Sequence, residues 1–453
     1  MVSGAFLQIE CSEQPLDLAF HPNAPGIVAV GLVDGTVEVH DFTEFLEQDG
    51  AKKVDPDGDD DDDDEPDTIV SSTAVHTQLI PSKLDELRAI QACCRALTFS
   101  LDGTCLYTGG SAGDLACLDA NRISTFSPKG HKALKWRIPE ASCSKSAGIQ
   151  VIKEFQRDGS RTLLATGDER GGVRLWDVKP METNGGTPVV PLYSWKLHED
   201  YISGIEVSDD GNTLVVSSAD CTISVYDLKM MGEQPDKATR RSDDQEDELL
   251  SLQIMKNGRK VVCGTGEGVL SVFSWGIWGD VSDRFPGHPQ SVDGLLKVDE
   301  DTLLTGSSDG LIRVVQIQPD KLLGVIGDHE GFPIEKLAFN SNHSFVGSLT
   351  HDNLIRIWDA RILQDDDEGN EESSNGMNID ATAMALAQSK NVGEEEEDDW
   401  DDMDEDSDEE LDDVDSDDSD DDSHGKDAGK KPSKNDKRKE KLKTDNEKFF
   451  EDL

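Results

Sequence analysis

Apolar and polar residues alternate along most of this chain in short runs, each closed by Gly, Asp or Ser. Alternation with a period of two predicts strands that bury one face. Two segments show the pattern best, SSADCTISVYDL at Ser217–Leu228 and LTHDNLIRIWDA at Leu349–Ala360. Each has a small polar residue, a spacer, an Asp, and then an alternating strand that ends in aromatic-Asp six residues past the turn. No long amphipathic helix is evident. No apolar run reaches the roughly 18 residues of a membrane-spanning helix. The pattern predicts an all-β chain.

Sliding this template along the sequence finds seven strand ends: His40-Asp41, Leu118-Asp119, Trp176-Asp177, Tyr226-Asp227, Phe273-Ser274, Val315-Gln316 and Trp358-Asp359. The turn residues six positions earlier are Asp34, Ala112, Arg170, Asp220, Glu267, Asp309 and Asp352, spaced 78, 58, 50, 47, 42 and 43 residues apart. The later spacings match the roughly 40–45 residues of a four-stranded propeller blade, and the first two exceed it by insertions.

On these residues the chain resembles the WD-repeat family over about residues 5–361, although only Trp176-Asp177 and Trp358-Asp359 are literal matches. The resemblance implies a seven-bladed β-propeller in which a turn Asp, a His, a small hydroxyl residue and an aromatic share one buried network per blade. The fourth blade offers His198, Ser218, Asp220 and Tyr226, and the seventh His329, Thr350, Asp352 and Trp358. The sixth has His288, Ser307 and Asp309, with Val315 in place of the aromatic. Such a network is a structural device, because every buried polar group needs a partner. A ring of blades must also close, since an open sheet edge invites pairing with other chains. Only acidic sequence follows Asp359, so Phe6–Glu10 is expected to supply the outer strand of the last blade.

Composition changes the picture at three places. The chain carries 95 Asp+Glu against 43 Lys+Arg, a net charge of −52. Glu47–Asp67 accounts for −10 of this and Gln364–Ser423 for −28, whereas His424–Leu453 is net +3 and about −17 remains for the rest. Segments so charged and so poor in apolar residues cannot bury a core and are expected to be disordered. The expected organisation is a propeller over 1–363 with an acidic disordered insertion at 47–67, an acidic tail over 364–423 and a basic segment over 424–453. A strongly acidic body argues against duplex nucleic acid as the main partner. The eight Cys have no CxxC spacing, and the opening MVSGAFLQIECSEQP shows no secretory signal pattern. The expectation is therefore reduced thiols, no metal, no cofactor and a monomer.

Candidate chemistry is sparse. GGSAG at Gly109–Gly113 and GSSDG at Gly306–Gly310 match G-x-S-x-G, but both fall on turns between strands, where a hydrolase elbow needs a strand entering a helix. GTGEG at Gly264–Gly268 is followed by no helix. No catalytic residue is assigned. Trp275 and Trp278 read either as packing between outer strands or as an aromatic anchor for a partner. Trp358-Asp359-Ala360-Arg361 fits W-D-x-R, a tetrapeptide with which some WD-repeat proteins present their Arg to the adaptor of cullin-4 ubiquitin ligases. In the acidic tail, Ser407 and Ser419 each have an acid at the third following position, which suits acidophilic kinases, and Ser416 is a further candidate for phosphorylation. Lys430, Lys431, Lys437, Arg438, Lys439 and Lys441 form a bipartite cluster like a nuclear import signal, and Phe449 and Phe450 offer a docking element.

Three features taken together are similar to the WD repeat-containing protein 55 family: DRFPGHPQSVDGLL at Asp283–Leu296, TGSSDGLIRVVQIQP at Thr305–Pro319, and the acidic-then-basic end closing in FFEDL. This resemblance implies a non-enzymatic scaffold in ribosomal RNA processing and ribosome production. It implies a nucleolar and nuclear location, with the cytoplasm as a further option. The partners implied are pre-ribosomal factors or basic ribosomal proteins. Two alternatives stay open, a cullin-4 substrate receptor acting through Arg361 and an acidic chaperone directed at histones.

Overall fold

The computed structural model describes residues 7–46, 93–123, 134–178, 190–231 and 238–363, and the backbone of Thr77–Gln78. These residues form seven four-stranded antiparallel sheets, and the chain is a seven-bladed β-propeller. The innermost strands are Pro15–Phe20, Cys94–Phe99, Ile149–Arg157, Ile202–Val207, Leu249–Met255, Val292–Lys297 and Ile334–Phe339. Each packs against the next, and the first packs against the seventh. Together they line a central channel of about 490 Å³.

One irregularity recurs in every blade. The register of the innermost strand slips at its second residue, between Pro15/Asp17, Cys94/Ala96, Ile149/Val151, Ile202/Gly204, Leu249/Ser251, Val292/Gly294 and Ile334/Lys336. A bulge of this kind leaves one residue out of the ladder and re-aims its side chain. The residues so released include Ser203, Asp293 and Glu335, all where the inner strands begin.

The ring closes as its open edge requires. Leu7–Glu10 is the outer strand of the seventh blade, with Leu7 opposite Ile357 and Ile9 opposite Ile355. Leu7 and Ile9 are buried in one apolar cluster with Leu18 and Phe20 of the first blade and Ile355 and Ile357 of the seventh. Burying two such side chains stabilises closure by about 1.5–3 kcal/mol each. Gly327, on the outer strand of the sixth blade, shows how tightly that blade meets the seventh: a Cβ there would lie 2.9 Å from the Trp358 ring.

Candidate protein-interaction surface

The polar networks sit beneath the surface on which the inner strands begin. In the fourth blade, His198 Nδ1 lies 3.0 Å from Asp220 Oδ2, and Nε2 lies 2.7 Å from Ser224 Oγ. A carboxylate can only accept, so Nδ1 carries the proton. Burial alone would raise the Asp220 pKa, but hydrogen bonds from His198 and Thr222 outweigh it and hold the carboxyl well below its usual range. Tyr226 is buried, with its hydroxyl 3.1 Å from Ser224 Oγ and its ring 4.5 Å from that of Trp195.

The seventh blade joins the same residue types in another way. Arg356 pairs with Asp352 at 2.8 Å and donates to His329 Nδ1 at 2.9 Å. His329 Nε2 therefore carries the proton and reaches Ser348 Oγ at 2.8 Å, which also accepts from Trp358 Nε1 at 2.7 Å. Burial, and then the Arg356 charge, push the His329 pKa down to about 3. In the sixth blade the fully buried Arg313 grips Asp309 through both guanidinium NH groups, at 3.0 and 2.5 Å, and Val315 stands at the aromatic position. His288 Nε2 meets Thr305 Oγ1 at 2.8 Å, and burial followed by Arg313 lowers its pKa to about 4.

The expected hydroxyls join the networks through the turn Asp: Ser218 Oγ accepts from Asp220 N, Ser307 bonds Asp309, and Thr350 donates to Asp352. Ser218 also donates to the Asp200 carbonyl and Ser307 to the Gln290 carbonyl. The histidines bond other hydroxyls. Along the second strand, residues two apart face the same side, and Thr305 and Ser348, two residues before Ser307 and Thr350, reach His288 and His329; in the fourth blade Ser224, on the third strand, reaches His198. Arg170 is not the turn acceptor of the third blade. Asp168 accepts from the Arg170 and Gly172 amides and from Cys143 N, while Trp176 Nε1 donates to Thr166 at 3.0 Å.

The candidate partner contacts separate. Trp278 is buried and meets Trp275 edge-on at 5.0 Å in a cluster shared by the fourth and fifth blades, so it packs between blades and is not an exposed anchor. Its neighbour Ile277 is the exposed residue, at 68 %. Arg361 is held by both carboxylate oxygens of Asp359, with its guanidinium 5.2 Å from the Phe345 ring centre. Phe449, Phe450, the tail serines Ser407, Ser416 and Ser419, and Lys430, Lys431, Lys437, Arg438, Lys439 and Lys441 lie outside the described residues.

A surface missed by motif reading is acidic. Asp200, Glu248, Asp293 and Glu335 stand where the inner strands of blades four to seven begin, and Asp293 lines the channel. All four act on one phenol: burial and then Glu248, Asp293, Asp200 and Glu335 push the Tyr201 pKa up to about 12. Glu248 is itself raised, by burial and then by Asp200 and Asp247. Glu335 is raised by burial and by Asp293, although His351 Nε2 lies 2.9 Å away. Phe332 projects from the connection into the seventh blade, 47 % exposed. The signal was available in part: Asp293 and Glu335 are bulge residues, but sequence alternation does not mark a bulge.

Comparison with known proteins agrees with this architecture. The WDR55 family model matches residues 77–363. The chain is 31 % identical to WD repeat-containing protein 55 of Arabidopsis thaliana over 376 residues, covering 83 % of this chain and 88 % of that protein. It is also 31 % identical over 360 residues to WD repeat-containing protein JIP5 of Cryptococcus neoformans, covering 79 % of this chain and 82 % of that protein. Among solved structures, the WD40 β-propeller domain of Doa1 superposes with a TM-score of 0.54 at 14 % identity, covering 77 % of this chain and 93 % of that one, which speaks to the fold alone. The chain thus belongs to the WDR55 family of WD-repeat propellers.

Proposed function

We propose that this chain is a non-enzymatic scaffold in ribosome production, whose ring and acidic segments receive basic proteins. One observation carries the reading: four carboxylates, Asp200, Glu248, Asp293 and Glu335, stand where the inner strands of four successive blades begin, and burial first and then neighbouring carboxylates raise the pKa of Glu248 and Glu335. A Lys or Arg side chain supplied by a partner would offset this repulsion, adding to what His351 gives Glu335. The −52 charge of the whole chain adds a long-range field that speeds the encounter. Names of the relatives, WD repeat-containing protein 55 among them, fit a role within this family but do not specify a partner.

The test is depletion and rescue in cells. Loss of the protein should accumulate unprocessed ribosomal RNA precursor. Wild-type chain should reverse this, and a chain with Glu248→Gln, Asp293→Asn and Glu335→Gln should not. Normal precursor levels after depletion would defeat the reading. Recovery of histones rather than ribosomal proteins with the wild-type chain would favour the histone-chaperone alternative.

A second reading rests on Arg361, whose side chain is 33 % exposed beside the ring closure. If it presents to a cullin-4 adaptor, Arg361→Ala should abolish adaptor co-purification. Retained adaptor would exclude that role. Nuclear and nucleolar location and tail phosphorylation belong to the same proposal, and are checked by imaging and by mass spectrometry of the tail serines.

A further inference from the structure

The first blade keeps the turn Asp and Thr of the fourth, with Thr36 N and Oγ1 donating to Asp34 as Thr222 does to Asp220, but differs from it at three other positions of the buried network. Cys11 precedes the innermost strand by four residues, the place His198 holds in the fourth blade. On the third strand, Thr36–Asp41 aligns with Thr222–Asp227, so Glu38 stands where Ser224 does and His40 where Tyr226 does. The second-strand residue facing Glu38 is Val30, which offers no hydroxyl. A His–hydroxyl–aromatic arrangement has thus been exchanged for Cys, Glu and His.

All three replacements are buried, with exposures of 3 %, 1 % and 0 %. Cys11 Sγ, a Glu38 carboxylate oxygen and a His40 ring nitrogen lie within 4.8 Å of one another. Glu38 Oε2 and His40 Nε2 are 3.1 Å apart. The site is firmly framed. Glu38 Oε1 accepts from Ser12 N and Oγ at 3.2 and 2.5 Å, and Cys11 N donates to the Asn353 carbonyl at 2.8 Å.

We propose that Cys11, Glu38 and His40 bind a divalent cation of the zinc type. A thiolate, an imidazole and a carboxylate form a borderline-soft donor set that suits zinc or cobalt and disfavours magnesium and calcium. Tetrahedral zinc with bonds of about 2.0–2.3 Å sets its donor atoms roughly 3.5 Å apart; Glu38 and His40, at 3.1 Å, already meet this spacing, and Cys11 needs to close by about 1 Å at most. On binding, the Cys11 thiol gives its proton to solvent, and if His40 Nε2 is the ligand it exchanges the proton it donates to Glu38 for the metal, that proton passing to solvent or to Nδ1, so that sulfur and nitrogen each supply an electron pair. The sequence hid this site because 27 residues separate Cys11 from Glu38, whereas the fold joins the closing strand of the ring to the first blade there. Metal binding would therefore fasten the closure.

The experiment uses the full chain with cobalt(II), in excess magnesium to occupy the acidic segments. The expected result is one tightly bound cobalt with a near-ultraviolet thiolate-to-cobalt charge-transfer band and the visible bands of tetrahedral cobalt, all displaced by zinc. Cys11→Ser should lose the charge-transfer band, and His40→Gln should weaken binding by about tenfold or more. Zinc should also raise the melting temperature of the wild-type chain and leave that of Cys11→Ser unchanged. Should Cys11→Ser fail to fold, the isosteric Glu38→Gln serves as the binding-deficient variant. Absence of the thiolate band from the wild-type chain would overturn the proposal, and so would a band of equal intensity in Cys11→Ser or its stand-in.

Discussion

The fourth and seventh blades hold a buried His and a turn Asp at matching positions, yet they use opposite ring nitrogens. His198 points its Nδ1 proton straight at Asp220. His329 receives a hydrogen bond at Nδ1 from Arg356, which itself pairs with Asp352, and points its Nε2 proton at Ser348. The difference teaches that the repeat preserves satisfied polar groups rather than one set of bonds. An Arg on the third strand converts a direct His–Asp contact into a relay and leaves the imidazole neutral. The sixth blade goes further, with Arg313 holding both carboxylate oxygens of Asp309 and His288 Nδ1 left without a partner among the described residues.

The largest expected effect concerns what both blades depend on, the closed ring. Deleting residues 1–10 removes the seventh blade's outer strand and the buried Leu7 and Ile9, and should abolish cooperative melting or lower its midpoint drastically. A truncated chain that melts like the full one would mean that closure lies elsewhere. Next is Trp358→Ala, which empties a buried aromatic site and frees the Ser348 bond; a loss of about 3–5 kcal/mol is expected in denaturant unfolding.

Acid sensitivity separates the blades directly. His288 and His329 have folded pKa values depressed to about 4 and about 3. A depressed His binds its proton more readily in the unfolded chain, so its stabilisation is complete above the unfolded value of about 6.5. That stabilisation is lost as pH falls from there toward 4 and 3. Asp220 is also depressed, but its contribution fades only below the ordinary carboxylate range. Unfolding between pH 6.5 and 4 should therefore flatten in a His288→Asn, His329→Asn double variant, by an amount on the order of a few kcal/mol at the acid end. An unchanged slope would show that these histidines are not the acid-labile elements.

Much of the ring was legible because its cause is local. Period-two alternation and aromatic-Asp strand ends mark strands, and the missing outer strand of the last blade points back to Leu7–Glu10. The networks were only half legible. Two hydroxyls on one strand face, Ser348 and Thr350, satisfy the same pattern, and only the lateral placement of His329 selects between them. Trp278 shows the converse, since the sequence left packing and exposure both open and the buried contact with Trp275 selects packing. The acidic surface was least legible. Asp200, Glu248, Asp293 and Glu335 span 136 positions of sequence and meet only because the blades do.

The central claim is that this acid meets basic partners. It is tested most directly by binding of a lysine-rich ribosomal protein to the full chain, and to the Glu248→Gln, Asp293→Asn, Glu335→Gln variant, as salt is raised. From about 0.01 M to about 0.15 M ionic strength the Debye length falls from about 30 Å to about 8 Å. The wild-type affinity should fall by about tenfold or more across this range, and the variant should bind more weakly at every salt with a shallower dependence. Affinity that ignores salt, or a variant that binds as the wild type does, would contradict the account.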